Sequence, residues 1–336
     1  MRIGITGTGR IGAFHAKTLL GVPGVDGLVV TDVVPESAAK VAADLGQTAV
    51  PDLDAVLAAG VDALVVTSSS PGHAPAVRAG LAAGIPIFCE KPVAAELGEA
   101  IELARLEAAA STPVHIGFQR RFDAGYRRLR DAVQSGELGF VHSIRAATHD
   151  QAPPHAAYIP TSGGLFRDCS VHDFDIVRFV SGREVASVFA TGGNKGAEFF
   201  REAGDVDTGA AILTLDDGTM VTVTATRYNG AGHDVRMEVH GSTGSMAAGL
   251  DDTLAIRSAQ PGATFPAGPA HQSFMERFQP AYVAELTYFV DVARGVAPSP
   301  CTVADGLAAA RIAEAAQRSK DSGTVVTLTE IPGLRT

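Results

Sequence analysis

The chain opens with an apolar strand that runs straight into a glycine loop. Arg2-Ile3-Gly4-Ile5-Thr6 leads into Gly7-Thr8-Gly9-Arg10-Ile11-Gly12, and a second apolar run, Leu28-Val29-Val30-Thr31, ends in Asp32. Strand, loop, helix, strand and acid in this order and spacing form the dinucleotide-binding fingerprint. Gly7 permits the tight turn, Gly9 lets the backbone approach a pyrophosphate, and Gly12 lets the next helix pack on its strand. The helix N-terminus then offers free N–H groups and the positive end of its dipole to the phosphates. Asp32 can accept bonds from both adenosine ribose hydroxyls and would repel a 2′-phosphate. Val33 and Val34 follow it, with no arginine to hold such a phosphate, so the expected cofactor is NAD rather than NADP. Glycine makes up 37 of 336 residues, so the loop alone would be a weak signal; its ordered surroundings carry the reading.

A chain of 336 residues is long for one ordinary domain, and two are expected. Apolar residues at 46% and charged residues at 19% supply sizeable cores and exclude a disordered chain. The formal charge is −10, and the short Arg127-Arg128-Leu129-Arg130 stretch is no basic face. Nucleic acid and anionic membrane surfaces demand a positive one, so neither is an expected partner; a small molecule is. Three widely spaced cysteines, Cys89, Cys169 and Cys301, make neither a disulfide framework nor a zinc spacing. They read as reduced thiols in the cytoplasm. A strand starting at residue 2 leaves no room for a signal peptide, and no apolar run reaches the roughly 18 residues that span a bilayer.

Residues 1–119 alternate strand-like runs (2–6, 27–31, 62–67, 85–89, 113–117) with helix-like segments. Runs such as Ala63-Leu64-Val65-Val66 are continuously apolar, as a parallel sheet covered on both faces requires. The expectation is an α/β chain: an N-terminal Rossmann, doubly wound parallel sheet whose ligand lies at the carboxyl ends of its strands. Residues 120–336 change style. Thr219 to Thr226 alternates apolar residues with threonine and pairs with Gly209–Leu215 across Asp216-Asp217-Gly218. With further strands near 139–148, 185–192, 234–240 and 244–247, this half reads as an α+β domain with a large, mostly antiparallel open sheet. Residues 259–272 read as a loop, and helices near 277–294 and 303–319 close the chain.

Two segments can carry chemistry. The fifth strand ends in Phe88-Cys89-Glu90-Lys91-Pro92, which places Lys91 at the carboxyl edge where a nicotinamide should lie. Like charges disfavour protonation there, so the lysine could orient a substrate hydroxyl and share its proton; a surface lysine beside a turn proline is the plain alternative. In Arg167-Asp168-Cys169-Ser170-Val171-His172-Asp173-Phe174-Asp175, Asp168 and His172 lie four apart and share one helix face. The carboxylate could fix an imidazole that takes a proton as hydride leaves a carbinol carbon. Equally, Asp168 or Ser170 could simply cap the helix. Asp173 and Asp175 project on different faces, and no metal site is expected. Gly117 to Asp123 crosses between the halves, and Asp150 follows a strand as a candidate polar contact. His15 and His73 read as packing residues by position.

These segments together resemble the Gfo/Idh/MocA oxidoreductases, most of all their inositol 2-dehydrogenase branch. The similarity rests on Gly7 to Gly12 with His15-Ala16, Cys89-Glu90-Lys91-Pro92, Gly117 to Asp123, Gly163-Gly164 through Asp175, and Glu276 to Leu286. It implies NAD(P)-dependent oxidation of a secondary alcohol on a polyol or sugar; with Asp32 the expectation is an NAD-dependent dehydrogenase of a cyclic polyol, myo-inositol first, with an aldose or glycoside as the alternative and a sugar-sensing regulator as the non-enzyme rival. Lys91, Asp168 and His172 would be catalytic. Cofactor contacts would come from Gly7, Gly9, Arg10, Ile11, Gly12 and Asp32, then from Ser68, Ser69, His73, Glu90, Lys91 and Gln119. Arg121, Asp150 and Tyr282 would join the three catalytic groups on the substrate. The open sheet would mediate homodimers or tetramers. Gln119, Gln151 and His233 depart from the branch's usual residues.

Overall fold

Eleven elements build the first half of the chain in strict alternation: β1 (Arg2–Thr6), α1 (Arg10–Leu19), β2 (Gly27–Thr31), α2 (Pro35–Leu45), β3 (Thr48–Ala49), α3 (Leu53–Ala58), β4 (Ala63–Val66), α4 (His73–Ala83), β5 (Ile87–Glu90), α5 (Leu97–Ala109) and β6 (Val114–Gly117). In this computed structural model, which describes residues 1–334, the strands form one six-stranded sheet ordered β3-β2-β1-β4-β5-β6. Every pairing in it is parallel. The order reverses at β1, so the carboxyl ends of β1 and β4 flank the crevice where such sheets bind ligands. Local chemistry sets the helix limits: Pro35 opens α2 and Gly46, at φ 65°, closes it. The two-residue β3 was not expected.

The remaining elements are α6 (Ala124–Gln134), β7 (Val141–His149), α7 (Val171–Ser181), β8 (Val185–Gly193), α8 (Phe199–Glu202), β9 (Thr208–Leu215), β10 (Met220–Thr226), β11 (Asp234–Gly241), β12 (Ser245–Ala248), α9 (Phe274–Ala293), α10 (Val303–Ser322) and β13 (Val326–Thr327). Asp123 caps α6 by accepting bonds from Gly125 N and Tyr126 N. The second sheet has seven strands ordered β12-β11-β7-β10-β9-β8-β13. The β9–β10 hairpin pairs Thr214 with Met220 and Ala211 with Val223, the expected register. One pairing departs from the antiparallel pattern: β7 and β10 run parallel, Thr226 opposite His149.

The chain divides into two units. The first gathers Met1–Phe118 with Tyr282–Ala308, and the second Gln119–Ala281 with Ala309–Pro332. Residues 120–336 are therefore not one piece. The reason is packing: Leu286, Phe289, Val290 and Val292 from α9 are buried in the same cluster as Ile3, Ile5, Val30, Val65 and Phe88. Leaving those side chains in water would cost roughly 1.5–3 kcal/mol each. In the second unit the alternation of β9 and β10 turns Ala211, Leu213, Val221, Val223 and Ala225 inward. The other face carries Phe189, Ile212 and Met220, with 38%, 51% and 60% of their surfaces exposed.

Candidate active site

In the first unit the glycine loop turns at Gly7, whose φ is 96° and whose N–H donates to Thr31 O at 2.8 Å. A Cβ on Gly7 would lie 2.2 Å from Ser68 N, and one on Gly12 would lie 1.9 Å from Gly7 O. These two glycines are demanded by the protein itself. Gly9 differs: a Cβ there meets nothing within 4 Å. Gly9 is the N-cap of α1 and supplies no capping side chain, so the first-turn N–H groups, with exposed Arg10 and half-buried Ile11, face open space. That cradle fits a dinucleotide pyrophosphate. Asp32, at the end of β2, accepts bonds from Thr8 N at 2.5 Å and Val34 N at 2.9 Å. Those bonds aim the carboxylate while leaving it acceptor capacity for ribose hydroxyls.

At the carboxyl end of β5 stand half-buried Glu90 and Lys91. Glu90 Oε1 lies 2.6 Å from Nε2 of His15, a fully buried residue of α1. Ser68 and Ser69 follow β4, and Ser68 O lies 2.9 Å from His73 Nε2. The Nδ1 of the same ring lies 2.6 Å from Pro92 O. Both ring nitrogens of His73 thus meet protein carbonyls, which gives it a structural task. Tyr282 is buried, its ring edge-on to Phe14 at 5.5 Å and 5.7 Å from the His15 ring.

In the second unit Gln119, Arg120 and Arg121 are all buried in a short helical turn. Arg121 forks onto Asp175, with Nε at 2.8 Å and Nη2 at 2.6 Å, at 5% exposure. This buried bidentate pair anchors the segment to α7. Arg120 similarly donates to Asp173, which Thr148 also holds. Asp168 lies in a single π-helical turn, Phe166–Ser170, that feeds α7, and neither it nor Ser170 caps that helix. His172 is half-buried between buried Val171 and Asp173.

Two neighbours of Asp168 were not read from the sequence. Arg227 Nη2 donates to Asp168 Oδ2 at 2.6 Å and its Nη1 to Asp150 Oδ2 at 3.1 Å. Tyr158 donates its hydroxyl to Asp168 Oδ1 at 2.9 Å. The parallel pairing of β7 and β10 brings Asp150 and Arg227 together, because each immediately follows its strand. Burial pushes the Asp150 carboxyl up, but the His233 imidazole and the Arg227 charge outweigh it and hold the group below the usual carboxylate range. Burial also opposes the Arg227 charge, and Cys169, Asp168 and Asp150 more than restore it. Burial and the Asp168 charge push the Tyr158 phenol up, so it stays a donor. Among the described residues no group of three or more His, Cys, Asp or Glu side chains is placed to hold a metal ion.

Fold and cradle define a class, the oxidoreductases built on a dinucleotide-binding domain. Residues 1–118 match the oxidoreductase family with an NAD-binding Rossmann fold, and residues 126–247 match the GFO/IDH/MocA C-terminal domain. A myo-inositol dehydrogenase of Streptomyces leeuwenhoekii is 37% identical over 97% of this chain and 99% of its own. The myo-inositol 2-dehydrogenase of Thermotoga maritima is 33% identical over 99% and 100%. Among solved structures, the scyllo-inositol dehydrogenase of Lactobacillus casei with bound NAD(H) and scyllo-inositol superimposes with a TM-score of 0.88 at 30% identity, covering 98% of this chain and 99% of that one. The chain belongs to the Gfo/Idh/MocA oxidoreductase family, and its cofactor is NAD.

Proposed function

We propose that this protein oxidises a ring carbinol of a cyclic polyol, with myo-inositol, converted to 2-keto-inositol, as its leading substrate. The observation that carries the reading is Lys91, set directly after β5 in the unit that holds the NAD cradle. Relatives named as inositol dehydrogenases along the whole chain support the substrate. NAD, when held by the glycine loop and Asp32, supplies the acceptor for the hydride that leaves the carbinol carbon.

The chain's own groups handle the proton. His172 accepts it from the hydroxyl, Lys91 orients that hydroxyl, and Asp168 orients His172. Tyr158 and Arg227 pin Asp168, one on each carboxylate oxygen. Asp150, kept ionised by His233 and Arg227, is an acceptor suited to further polyol hydroxyls, and Tyr282 completes the substrate contacts. The unit that gathers Met1–Phe118 with Tyr282–Ala308 serves the cofactor, and the unit that gathers Gln119–Ala281 with Ala309–Pro332 serves the substrate and assembly.

In this reading the enzyme is a cytoplasmic homo-oligomer, a dimer or tetramer. Three buried cysteines, all free thiols, support a reducing compartment, and among the described residues no helix is long and apolar enough to cross a membrane. The exposed apolar face of the second sheet supports assembly. Lys91→Ala tests the reading: turnover should fall about 10²–10⁴-fold, the scale of losing a positioned proton-transfer group. Undiminished turnover would reject the role.

A further inference from the structure

Lys91 is the middle residue of Glu90-Lys91-Pro92, and each neighbour is held by a different buried histidine. Glu90 is the last residue of β5 to pair, opposite Gly117 of β6, so Lys91 lies just past the sheet's backbone ladder. Proline lacks an N–H, which leaves its carbonyl as the backbone handle at residue 92.

His15 reaches the Glu90 carboxylate from α1, the helix that starts at the glycine loop; its Nε2 lies at 2.6 Å, and its Nδ1 is buried without a hydrogen-bond partner among the described residues. His73 reaches Pro92 O from the first residue of α4 at 2.6 Å, and its far nitrogen faces Ser68 O at 2.9 Å. Both carbonyls are acceptors, so each contact asks its ring nitrogen to be the donor, and the Pro92 contact is the shorter. We propose that His15 and His73 are positioning residues that hold the Glu90 carboxylate and the Pro92 carbonyl on either side of Lys91, so that its ammonium is delivered in register with the bound cofactor. The proposal rests on the reading of Lys91 as the group that orients the substrate hydroxyl. A misplacement of about 1 Å at such a group can cost on the order of 10²-fold in rate.

Amide side chains separate the two contacts of His73. His73→Asn places a donor near the Nδ1 position and keeps the bond to Pro92 O. His73→Gln places it near Nε2, toward Ser68 O, and leaves Pro92 untethered. The expected result is kcat within about threefold of wild type for His73→Asn and a fall of about 10–100-fold for His73→Gln and His73→Ala. The NAD dissociation constant, measured by calorimetric titration, should stay within about twofold for all three, which also shows that the unit is folded. For His15, His15→Gln should retain more turnover than His15→Leu by about tenfold, because only the amide can donate to Glu90. Wild-type kcat in His73→Gln, or a loss in His73→Asn equal to that in His73→Ala, would overturn the proposal. Full activity in a parallel Lys91→Ala assay would strike at the reading of Lys91 itself and not at the histidine tethers.

Discussion

Arg227 shows what a single buried charge does in the substrate unit. It is 4% exposed and bridges Asp150 and Asp168. Replacing it with leucine leaves two carboxylates facing each other in a poorly solvated site. Removing one member of a buried ionic group costs on the order of 3–5 kcal/mol, and the partial exposure of both aspartates argues for the lower end. Arg227→Leu should therefore lose about 3 kcal/mol in urea unfolding and lower turnover; an unchanged midpoint with an unchanged slope would contradict the account. Residue by residue, short linear patterns made Gly7 and Gly12 legible, and a Cβ at either position would clash with backbone. The sequence hid Arg227 and Tyr158, which belong to no pattern and meet Asp168 only through folding. It hid equally that Arg121 forks onto Asp175, a partner 54 residues away in the chain.

Elements show a similar division between what periodicity reveals and what it cannot. Alternation located β7 to β12 and the β9–β10 hairpin, but it carries no sign of direction, so the parallel β7–β10 pairing was invisible. Strands β3 and β13, two residues each, are too short to show a period. The junction of α5 and α10 offers a pH test within one unit. Glu107 accepts a bond from Val303 N at 2.9 Å, and burial pushes its carboxyl up from 4.5 to about 7. Between those values the folded chain keeps a proton that the unfolded chain has lost. Its contribution is full below pH 4.5 and is lost as pH rises through about 7. Glu107→Gln should gain about 1–2 kcal/mol relative to wild type near pH 8, after discounting for partial exposure, and nothing near pH 4. Equal differences at both pH values in urea melts would contradict it. On the outer face of the second sheet, Ile212→Lys should shift the protein toward a smaller species in light scattering. An unchanged mass would remove that face from the proposed assembly.

For the whole molecule, order along the chain was a good guide to the two-part architecture and a poor guide to where each part ends. Nothing in the linear pattern of α9 says that Leu286, Phe289, Val290 and Val292 are buried with the first sheet rather than the second. A helix stripe declares that it needs a core, not which core. The formal charge of −10 agrees with a small neutral substrate such as a polyol. The central claim joins that substrate to NAD through Asp32 and Lys91. Initial rates of reduced-cofactor formation with NAD and with NADP, across myo-inositol, scyllo-inositol, glucose and galactose, test it most directly. The account predicts the highest kcat/KM with an inositol and NAD, and at least about tenfold less with NADP, the scale of one repelled phosphate worth about 1.4 kcal/mol. Turnover confined to the aldoses, or NADP preferred over NAD, would contradict it.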